Sequence, residues 1–93
     1  MDESKIEKKL ALTVKKRGGL ALKFTSPSFS GMPDRLLLFP DGKLAFAEIK
    51  APGGKPRPLQ ISRIEKLRSL GFKVYVIDSI EMIGGVIDEI LSS

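Results

Sequence analysis

The sequence contains neither cysteine nor histidine. This absence excludes thiol nucleophiles, disulfides, zinc sites of the usual Cys/His kind and imidazole acid–base catalysis. Apolar runs long enough to span a bilayer are also missing, and the charged start MDESKIEKK lacks the apolar core of a signal peptide. We therefore expect a cytoplasmic protein without membrane contact. Any catalysis in it has to use carboxylates, lysine, hydroxyl groups or a hard metal ion.

The composition is that of a small globular domain with a basic balance of charge. The 93 residues are 42% hydrophobic and 29% charged, which predicts one folded domain over residues 1–93. Sixteen Lys and Arg against eleven Asp and Glu give a net charge of +5. A compact domain of this charge attracts polyanions, so nucleic acid is the leading class of partner.

Helical and strand periodicities, separated by turns rich in Gly and Pro, define the predicted elements. In chain order they are a helix over 2–17, strands over 20–25, 34–39 and 44–50, a helix over 58–70, a strand over 72–77 and a helix over 80–91. A tight turn pairs Phe39 with about Leu44 in an antiparallel hairpin, and the second helix allows the last strand to run parallel to an earlier one. The order α-β-β-β-α-β-α predicts an α/β fold with a mixed sheet flanked by helices.

Charged residues stand at both ends of the apolar hairpin GMPDRLLLFPDGKLAFAEIK. Its second strand is apolar on both faces until Glu48 and Lys50, which project side by side at its C-terminal end. They could form a local ion pair worth about 0.2 to 1 kcal/mol if exposed. The turn also brings Asp34 opposite roughly Ile49, so two carboxylates and an ammonium meet at one rim. Like charges at this spacing need a cation between them, and oxygen ligands suit Mg²⁺ or Mn²⁺.

Polar residues also lie on the apolar faces of two helices. Glu7 shares a stripe with Leu10 and Val14, where a carboxylate either has a role in a site or points outward from the edge of the stripe. We interpret Glu3, one turn earlier, as pointing outward. Gln60 faces inward from the first turn of the second helix, where its amide either supports a site or satisfies free backbone donors.

The P-D pair at 33–34, the E-I-K triplet at 48–50 and the inward Gln60 resemble the PD-(D/E)xK nuclease pattern. The longer string GMPDRLLLFPDGKLAFAEIKAPGGKPRPLQ resembles the VRR-NUC branch of that superfamily, small nucleases of viral and bacterial replication and repair. The resemblance implies a restriction-endonuclease-like fold, a location inside a bacterial or virus-infected cell, and hydrolysis of DNA phosphodiester bonds with Mg²⁺ or Mn²⁺ as cofactor.

The roles of the central residues follow from the same resemblance. Asp34 and Glu48 look like metal ligands, with the backbone carbonyl of Ile49 as a third. Lys50 would orient or deprotonate the attacking water and stabilise the charge that builds on the phosphate. Glu7 matches a helical glutamate that assists the metal or the lysine.

Residues around this centre have supporting roles. Gln60 matches the glutamine that supports the site from the following helix. Four basic residues flank the proposed site and are candidates for phosphate contacts: Lys23, Arg35, Lys55 and Arg57. The basic run at 15–17 ends the first helix, where cations favour the helix dipole, and we interpret it as solvated.

A single domain of this size can grip a duplex only weakly, because it offers two loops and a few cations. Stand-alone members of the family resemble Holliday-junction resolvases in being paired, which implies a homodimer. A two-fold dimer would space two sites for the paired cuts that a four-way junction requires. The apolar, glycine-containing last helix is the candidate interface.

Two other functions are compatible with these observations. One is a DNA-binding module that keeps the fold without the chemistry, and the other is a structural protein in which Glu48 and Lys50 tie the edge of the sheet. A binding module has no need of two carboxylates facing a polyanion. The sequence therefore favours a structure-specific DNA endonuclease.

Overall fold

The computed structural model describes residues 2–93. Its elements are, in chain order, α1 Glu3–Lys16, β1 Leu20–Lys23, β2 Arg35–Phe39, β3 Lys43–Ile49, α2 Pro58–Ser69, β4 Lys73–Ile77 and α3 Ile83–Leu91. The α/β class and the order α-β-β-β-α-β-α predicted from the sequence are confirmed.

The strands form a mixed sheet in the order β1-β2-β3-β4. β1 pairs antiparallel with β2, and β2 pairs antiparallel with β3. β3 pairs parallel with β4, to which it is connected through α2. β3 therefore has a strand neighbour on each side, and because helices cover both faces of the sheet around it, its sequence is apolar on both faces.

Helices cover the two faces of the sheet unequally. α1 and α3 pack on one face, over a buried core that includes Ile6, Leu10, Val14, Leu37, Ala45, Ala47, Ile49, Ile77, Ile83, Ile87 and Ile90. α2 packs on the other face, where Ile64, Leu67 and Val74 form a smaller cluster with the partly buried Phe46. Residues that alternate along β3 therefore point to different helices.

The hairpin between β2 and β3 is one residue tighter than the sequence predicts. Phe39 pairs with Lys43 instead of Leu44. The connection is a single 3₁₀ turn over Pro40–Gly42, in which Asp41 has a φ of 66°. A short aspartate side chain tolerates this left-handed conformation, which lets three residues reverse the chain.

The tighter turn changes the partner of Asp34. The ladder pairs Arg35 with Ala47, and its continuation by one residue places Asp34 opposite Glu48 instead of Ile49. The charges are close together, as the sequence predicts. The tighter turn makes Asp34 and Glu48 direct cross-strand neighbours, whereas the sequence placed them one residue apart.

The last helix begins at Ile83, because residues 80–82 form a bend and a turn instead of its first turn. Its apolar residues are buried in the core: Ile83, Val86, Ile87 and Ile90. The apolar face of α3 is thus not free to form the interface that the sequence suggested for it. Within residues 2–93, no helix has both the length and the apolar character needed to cross a membrane.

Candidate active site

Glu48 is a buried carboxylate near the end of β3, with 3% of its surface exposed. Its Oε2 accepts a hydrogen bond from Gln60 Nε2 at 2.8 Å and lies 3.2 Å from Lys50 Nζ. Its Oε1 accepts from the backbone N–H of Asp34 at 3.2 Å. A carboxylate is buried at tolerable cost only when its charge is paired and hydrogen-bonded, so these contacts both stabilise Glu48 and fix its orientation.

Asp34 lies just before β2 and is partly buried, with its Oδ1 accepting from the backbone N–H of Ile49 at 3.3 Å. Burial of this carboxyl and the negative charge of Glu48 raise the pKa of Asp34 to about 6, with smaller contributions from Glu7 and Glu3. The surroundings of Asp34 therefore favour a bound proton or a bound cation over a free carboxylate.

Ile49 contributes its backbone to the same rim. In an extended strand, the N–H and C=O of one residue point to the same side of the strand. Because the N–H of Ile49 is directed at Asp34, its carbonyl lies on that side as well. The N–H of Lys50, the next residue, is instead bonded to the carbonyl of Ile77 in β4 at 2.9 Å.

Lys50 follows β3 on the same face as Glu48, with 18% of its side chain exposed. The loop behind it folds back tightly, because the N–H of Gly54 donates to the carbonyl of Ala51 at 2.8 Å. A Cβ on Gly54 would stand 3.4 Å from Lys50 Cβ. The ion pair that the sequence suggested exists, and it is largely buried, with the ammonium 3.2 Å from Glu48 Oε2.

Gln60 contacts both a free backbone donor of its helix and the neighbouring carboxylate of Glu48. It is buried in the first turn of α2, where its Oε1 accepts from the backbone N–H of Arg57 at 2.8 Å. Its Nε2 donates to Glu48 at 2.8 Å. The side chain thus caps the helix and orients the carboxylate at the same time.

α1 brings two more carboxylates to this rim. One carboxylate oxygen each of Glu3, Glu7 and Asp34 lies within 4.8 Å of the others. Glu7 also accepts a hydrogen bond from the guanidinium of Arg35 at 3.2 Å. Glu3 is exposed, as expected, but its carboxylate joins this acidic group, which the sequence interpretation missed. The available signal was its spacing of four residues from Glu7, which puts both on one helix face.

A pocket of about 180 Å³ opens beside the carboxylates. It is lined by Glu7, Lys23, Phe24, Thr25, Asp34 and Arg35. A larger pocket of about 230 Å³ lies along β4, lined by Arg68, Phe72, Lys73, Val74, Tyr75 and Glu89. None of the predicted site residues lines the larger pocket, whereas the smaller one is lined by four of them: Glu7, Lys23, Asp34 and Arg35.

The four basic residues predicted to contact phosphates have different surroundings. Lys23 is exposed at the mouth of the smaller pocket. Arg35 is only 12% exposed at its side chain and is paired with Glu7, so a phosphate would compete with that carboxylate. Lys55 and Arg57 are exposed in the loop that leads into α2.

The donor set of the rim fits a hard divalent cation. It consists of carboxylate oxygens from the residue before β2, from β3 and from α1, together with a backbone carbonyl, and such oxygen ligands suit Mg²⁺ and Mn²⁺. Asp34, Glu48 and the carbonyl of Ile49 could hold the ion. A carboxylate oxygen of Glu7 lies within 4.8 Å of one of Asp34, so Glu7 could assist from α1. Burial first, and the charge of Glu48 second, raise the pKa of Asp34, so a cation placed beside this carboxyl would favour its ionised form.

Comparisons with known proteins agree with this geometry. A family model of the VRR-NUC domain matches residues 2–81. A protein of Acyrthosiphon pisum secondary endosymbiont phage 1, named "Putative nuclease p44", is 51% identical over 77 residues, which cover 83% of each chain. A solved structure of a VRR-NUC domain is 31% identical, superimposes with a TM-score of 0.86, and is matched over 92% of this chain and 94% of its own. The resemblance seen in the sequence is thereby confirmed, and the chain belongs to the VRR-NUC domain family.

Proposed function

We propose that this protein is a nuclease, and more specifically a divalent-metal-dependent, structure-specific DNA endonuclease that acts as a homodimer. Membership of the VRR-NUC family and the name of the phage relative support the nuclease. The observation that carries the proposal is the convergence of Asp34, Glu48 and Lys50 at one rim, with Glu48 buried and held by three hydrogen-bonded or charged partners.

The acidic residues have the task of holding Mg²⁺ or Mn²⁺ against the scissile phosphate. Asp34, Glu48 and the carbonyl of Ile49 are the proposed ligands, and Glu7 assists from α1. A divalent cation bound there supplies Lewis-acid polarisation of the phosphodiester and a more acidic water. Such a cation also compensates the negative charge that raises the pKa of Asp34.

Lys50 and Gln60 complete the chemistry. Lys50 orients the attacking water and stabilises the charge that develops on the phosphate oxygens, a role that needs a fixed cation in a partly dry site. The ion pair that holds its ammonium 3.2 Å from Glu48 Oε2 supports this role. Gln60 is a positioning residue, because it touches Glu48 and the backbone of Arg57 but lies behind the rim.

The DNA backbone is proposed to pass over the rim between the loops that precede β2 and α2. Lys23, Lys55 and Arg57 contact phosphates there, because they are exposed and lie on the segments that flank the acidic residues. Arg35 contributes once the incoming phosphate draws it from Glu7. These contacts carry no sequence information, which is consistent with recognition of DNA shape.

The homodimer is supported by an uncovered part of the sheet. Cross-strand partners form two apolar rows on the face opposite α1 and α3: Leu20, Leu38 and Leu44 in one, and Leu22, Leu36 and Phe46 in the other. We call these two rows the leucine face. α2 covers the β4 side of this surface and leaves Leu20 and Leu22 58% and 42% exposed. A second copy of the chain that packs on the leucine face would bury it and set two active sites at a fixed spacing.

Incubation of the purified protein with labelled four-way junctions, flaps, hairpins and linear duplexes in the presence of Mn²⁺ tests this function. We expect cleavage of at least one branched substrate, paired cuts in the four-way junction, and complete loss of cleavage in excess EDTA. Binding without cleavage would favour the catalytically silent DNA-binding module. Cleavage that persists in excess EDTA would contradict the metal-dependent mechanism.

A further inference from the structure

The loop that leads into the active site carries an exposed aromatic ring, which packs against a guanidinium from α2. Phe29 is 43% exposed and lies outside both buried clusters. The guanidinium carbon of Arg63, from α2, stands 3.7 Å from the centre of the Phe29 ring. This cation–π contact fixes the ring in one orientation while leaving much of its surface in solvent.

The loop does not need this ring to stay in place. Arg63 Nε donates to the carbonyl of Ser30 at 2.7 Å, and the N–H of Phe29 closes a turn on the carbonyl of Ser26 at 3.1 Å. Gly31, with a φ of 86°, lies so close to α2 that a Cβ there would stand 2.7 Å from Leu59 Cγ. The backbone is thus anchored by hydrogen bonds of its own, and the ring packs on Arg63 while 43% of the residue stays exposed.

The ring and its cation lie within a few nucleotides of the proposed scissile phosphate. Phe29 precedes Asp34 by five residues, so their separation is at most about 18 Å. Arg63 follows Gln60 by three residues on α2, a rise of roughly 4.5 Å along the helix axis. A single strand with about 3.4 Å between nucleotides covers 18 Å with about five of them.

The charge of Arg63 is available to DNA. Within residues 2–93, no carboxylate forms an ion pair with Arg63, and the only hydrogen bond of its side chain there goes to the neutral carbonyl of Ser30. An aromatic ring backed by an uncompensated cation offers a base a flat apolar face and offers the backbone a positive charge. Stacking of this kind requires a base that has left its own duplex.

We propose that Phe29, supported by Arg63, is a stacking platform for an unpaired base of a DNA strand bound at the Asp34–Glu48 rim. The inference rests on the proposed function and adds a substrate feature to it, namely unpaired nucleotides within about five positions of the cut. The platform favours flaps, single-stranded ends and opened branch points over continuous duplex. It is indifferent to base identity, because every base has a stacking face.

Binding measurements test the platform independently of cleavage. Fluorescence anisotropy with a fluorescein-labelled single strand and with the matching duplex, in Ca²⁺, gives the Kd of each for wild-type protein, Phe29→Leu and Phe29→Trp. We expect Phe29→Leu to weaken single-strand binding about tenfold, since stacking is worth about 1 to 3 kcal/mol per base, and to leave duplex binding within twofold. Phe29→Trp keeps a stacking face and should bind like wild type.

Phe72→Leu is the matched control, because Phe72 is 44% exposed but precedes β4 and packs edge-on against Phe46 instead of a guanidinium. It should leave both Kd values unchanged. Equal losses for single strand and duplex in Phe29→Leu, no loss at all, or a wild-type protein that does not bind the single strand would each overturn the platform.

A second readout uses wild-type protein alone, so it does not depend on the folding of any variant. Single strands carrying 2-aminopurine at successive positions should show fluorescence quenching at one or two adjacent positions when protein is added. Uniform or absent quenching would contradict the platform. If the protein cuts DNA but shows neither effect, the platform fails and the nuclease stands; if it shows both effects and cuts nothing, the nuclease fails and the platform stands.

Discussion

The ionisation of Asp34 links the stability of the fold to the chemistry of the site. Burial and the charge of Glu48 raise its pKa from 3.8 to about 6, so the folded state holds this proton more tightly than the unfolded state does. The stabilising effect of the protonated group is therefore complete below pH 4 and is lost as the pH rises through about 6. Above that pH the ionised carboxylate is a cost that the metal-free protein carries.

Asp34→Asn should remove this cost. In the absence of metal at pH 8, we expect the variant to be more stable than wild type by about 1 kcal/mol, a value reduced for the partial exposure of the group. In a domain of this size that corresponds to a rise in Tm of about 4 to 8 °C. At pH 4 the two proteins should melt together.

Thermal unfolding in EDTA at both pH values measures this difference. Asp41→Asn is the matched control, because Asp41 is an exposed residue of the same hairpin whose positive φ asparagine also tolerates. It should change the Tm little at either pH. A lower Tm of Asp34→Asn at pH 8 would contradict the account of this carboxyl.

Stabilisation by a bound metal should increase with pH, whereas the stabilising effect of the Asp34 proton decreases with pH. Mn²⁺ competes with the proton on Asp34, so its stabilisation of the wild-type protein should be small at pH 5 and larger at pH 7.5. The shift in Tm on addition of Mn²⁺ measures this directly. Equal shifts at the two pH values, or an undiminished shift in Asp34→Asn, would argue against this carboxylate as a ligand.

At the scale of elements, the start of α2 is coupled to the carboxylate on β3. Gln60 bridges the two, since it accepts from Arg57 and donates to Glu48. Gln60→Ala should cost about 1 to 3 kcal/mol in unfolding free energy, because it leaves a helix donor and part of a buried carboxylate unsatisfied.

Activity should fall together with stability in Gln60→Ala, because Glu48 loses the hydrogen bond that orients it. Chemical denaturation and the initial rate of cleavage measure the two effects. Ser62→Ala, at an exposed position of the same helix, should leave both unchanged. Wild-type stability in Gln60→Ala would show that the bridge is not needed.

Local sequence patterns predict the elements well because each helix and strand has its own periodicity and its own turn signals. The predicted register of the hairpin was wrong by one residue, because Asp41 takes a positive φ that shortens the turn. Several turn types fit Phe-Pro-Asp-Gly-Lys, so the sequence alone does not select this one. The contribution of Glu3 was missed for a different reason. Its proximity to Asp34 depends on how α1 lies on the sheet, which a single helix cannot indicate.

At the scale of the whole molecule, the net charge and the local charge of the rim have opposite signs. The net charge of +5 attracts DNA from a distance, while the rim itself is acidic. A phosphate can approach these carboxylates closely only when a cation is present between them. This difference in sign is consistent with a protein that binds DNA weakly without metal and more tightly with it.

The leucine face leads to a prediction about assembly. Leu22→Lys places a charge at the exposed β1 end of one apolar row and should convert a dimer to a monomer, as seen by size-exclusion chromatography with light scattering. Leu70→Lys is the control, because Leu70 is 60% exposed at the end of α2 and lies outside both rows. A monomeric wild-type protein, or a dimer that survives Leu22→Lys, would exclude this interface.

The sequence could not indicate the leucine face, because it follows from which helix covers which part of the sheet. Strand alternation places Leu20 and Leu22 on one face, but only the position of α2 over β4 leaves them open. The last helix looked like the interface by composition, and its apolar residues instead complete the core.

Cleavage of a labelled branched DNA in Mn²⁺ by four proteins tests the central claim most directly: wild type, Asp34→Asn, Lys50→Ala and the control Asp41→Asn. We predict that wild type and Asp41→Asn cut at similar rates. Asp34→Asn and Lys50→Ala should lose about 10²-fold or more of the rate while remaining folded. Cleavage by Asp34→Asn or Lys50→Ala at the wild-type rate would contradict the assignment of the active site.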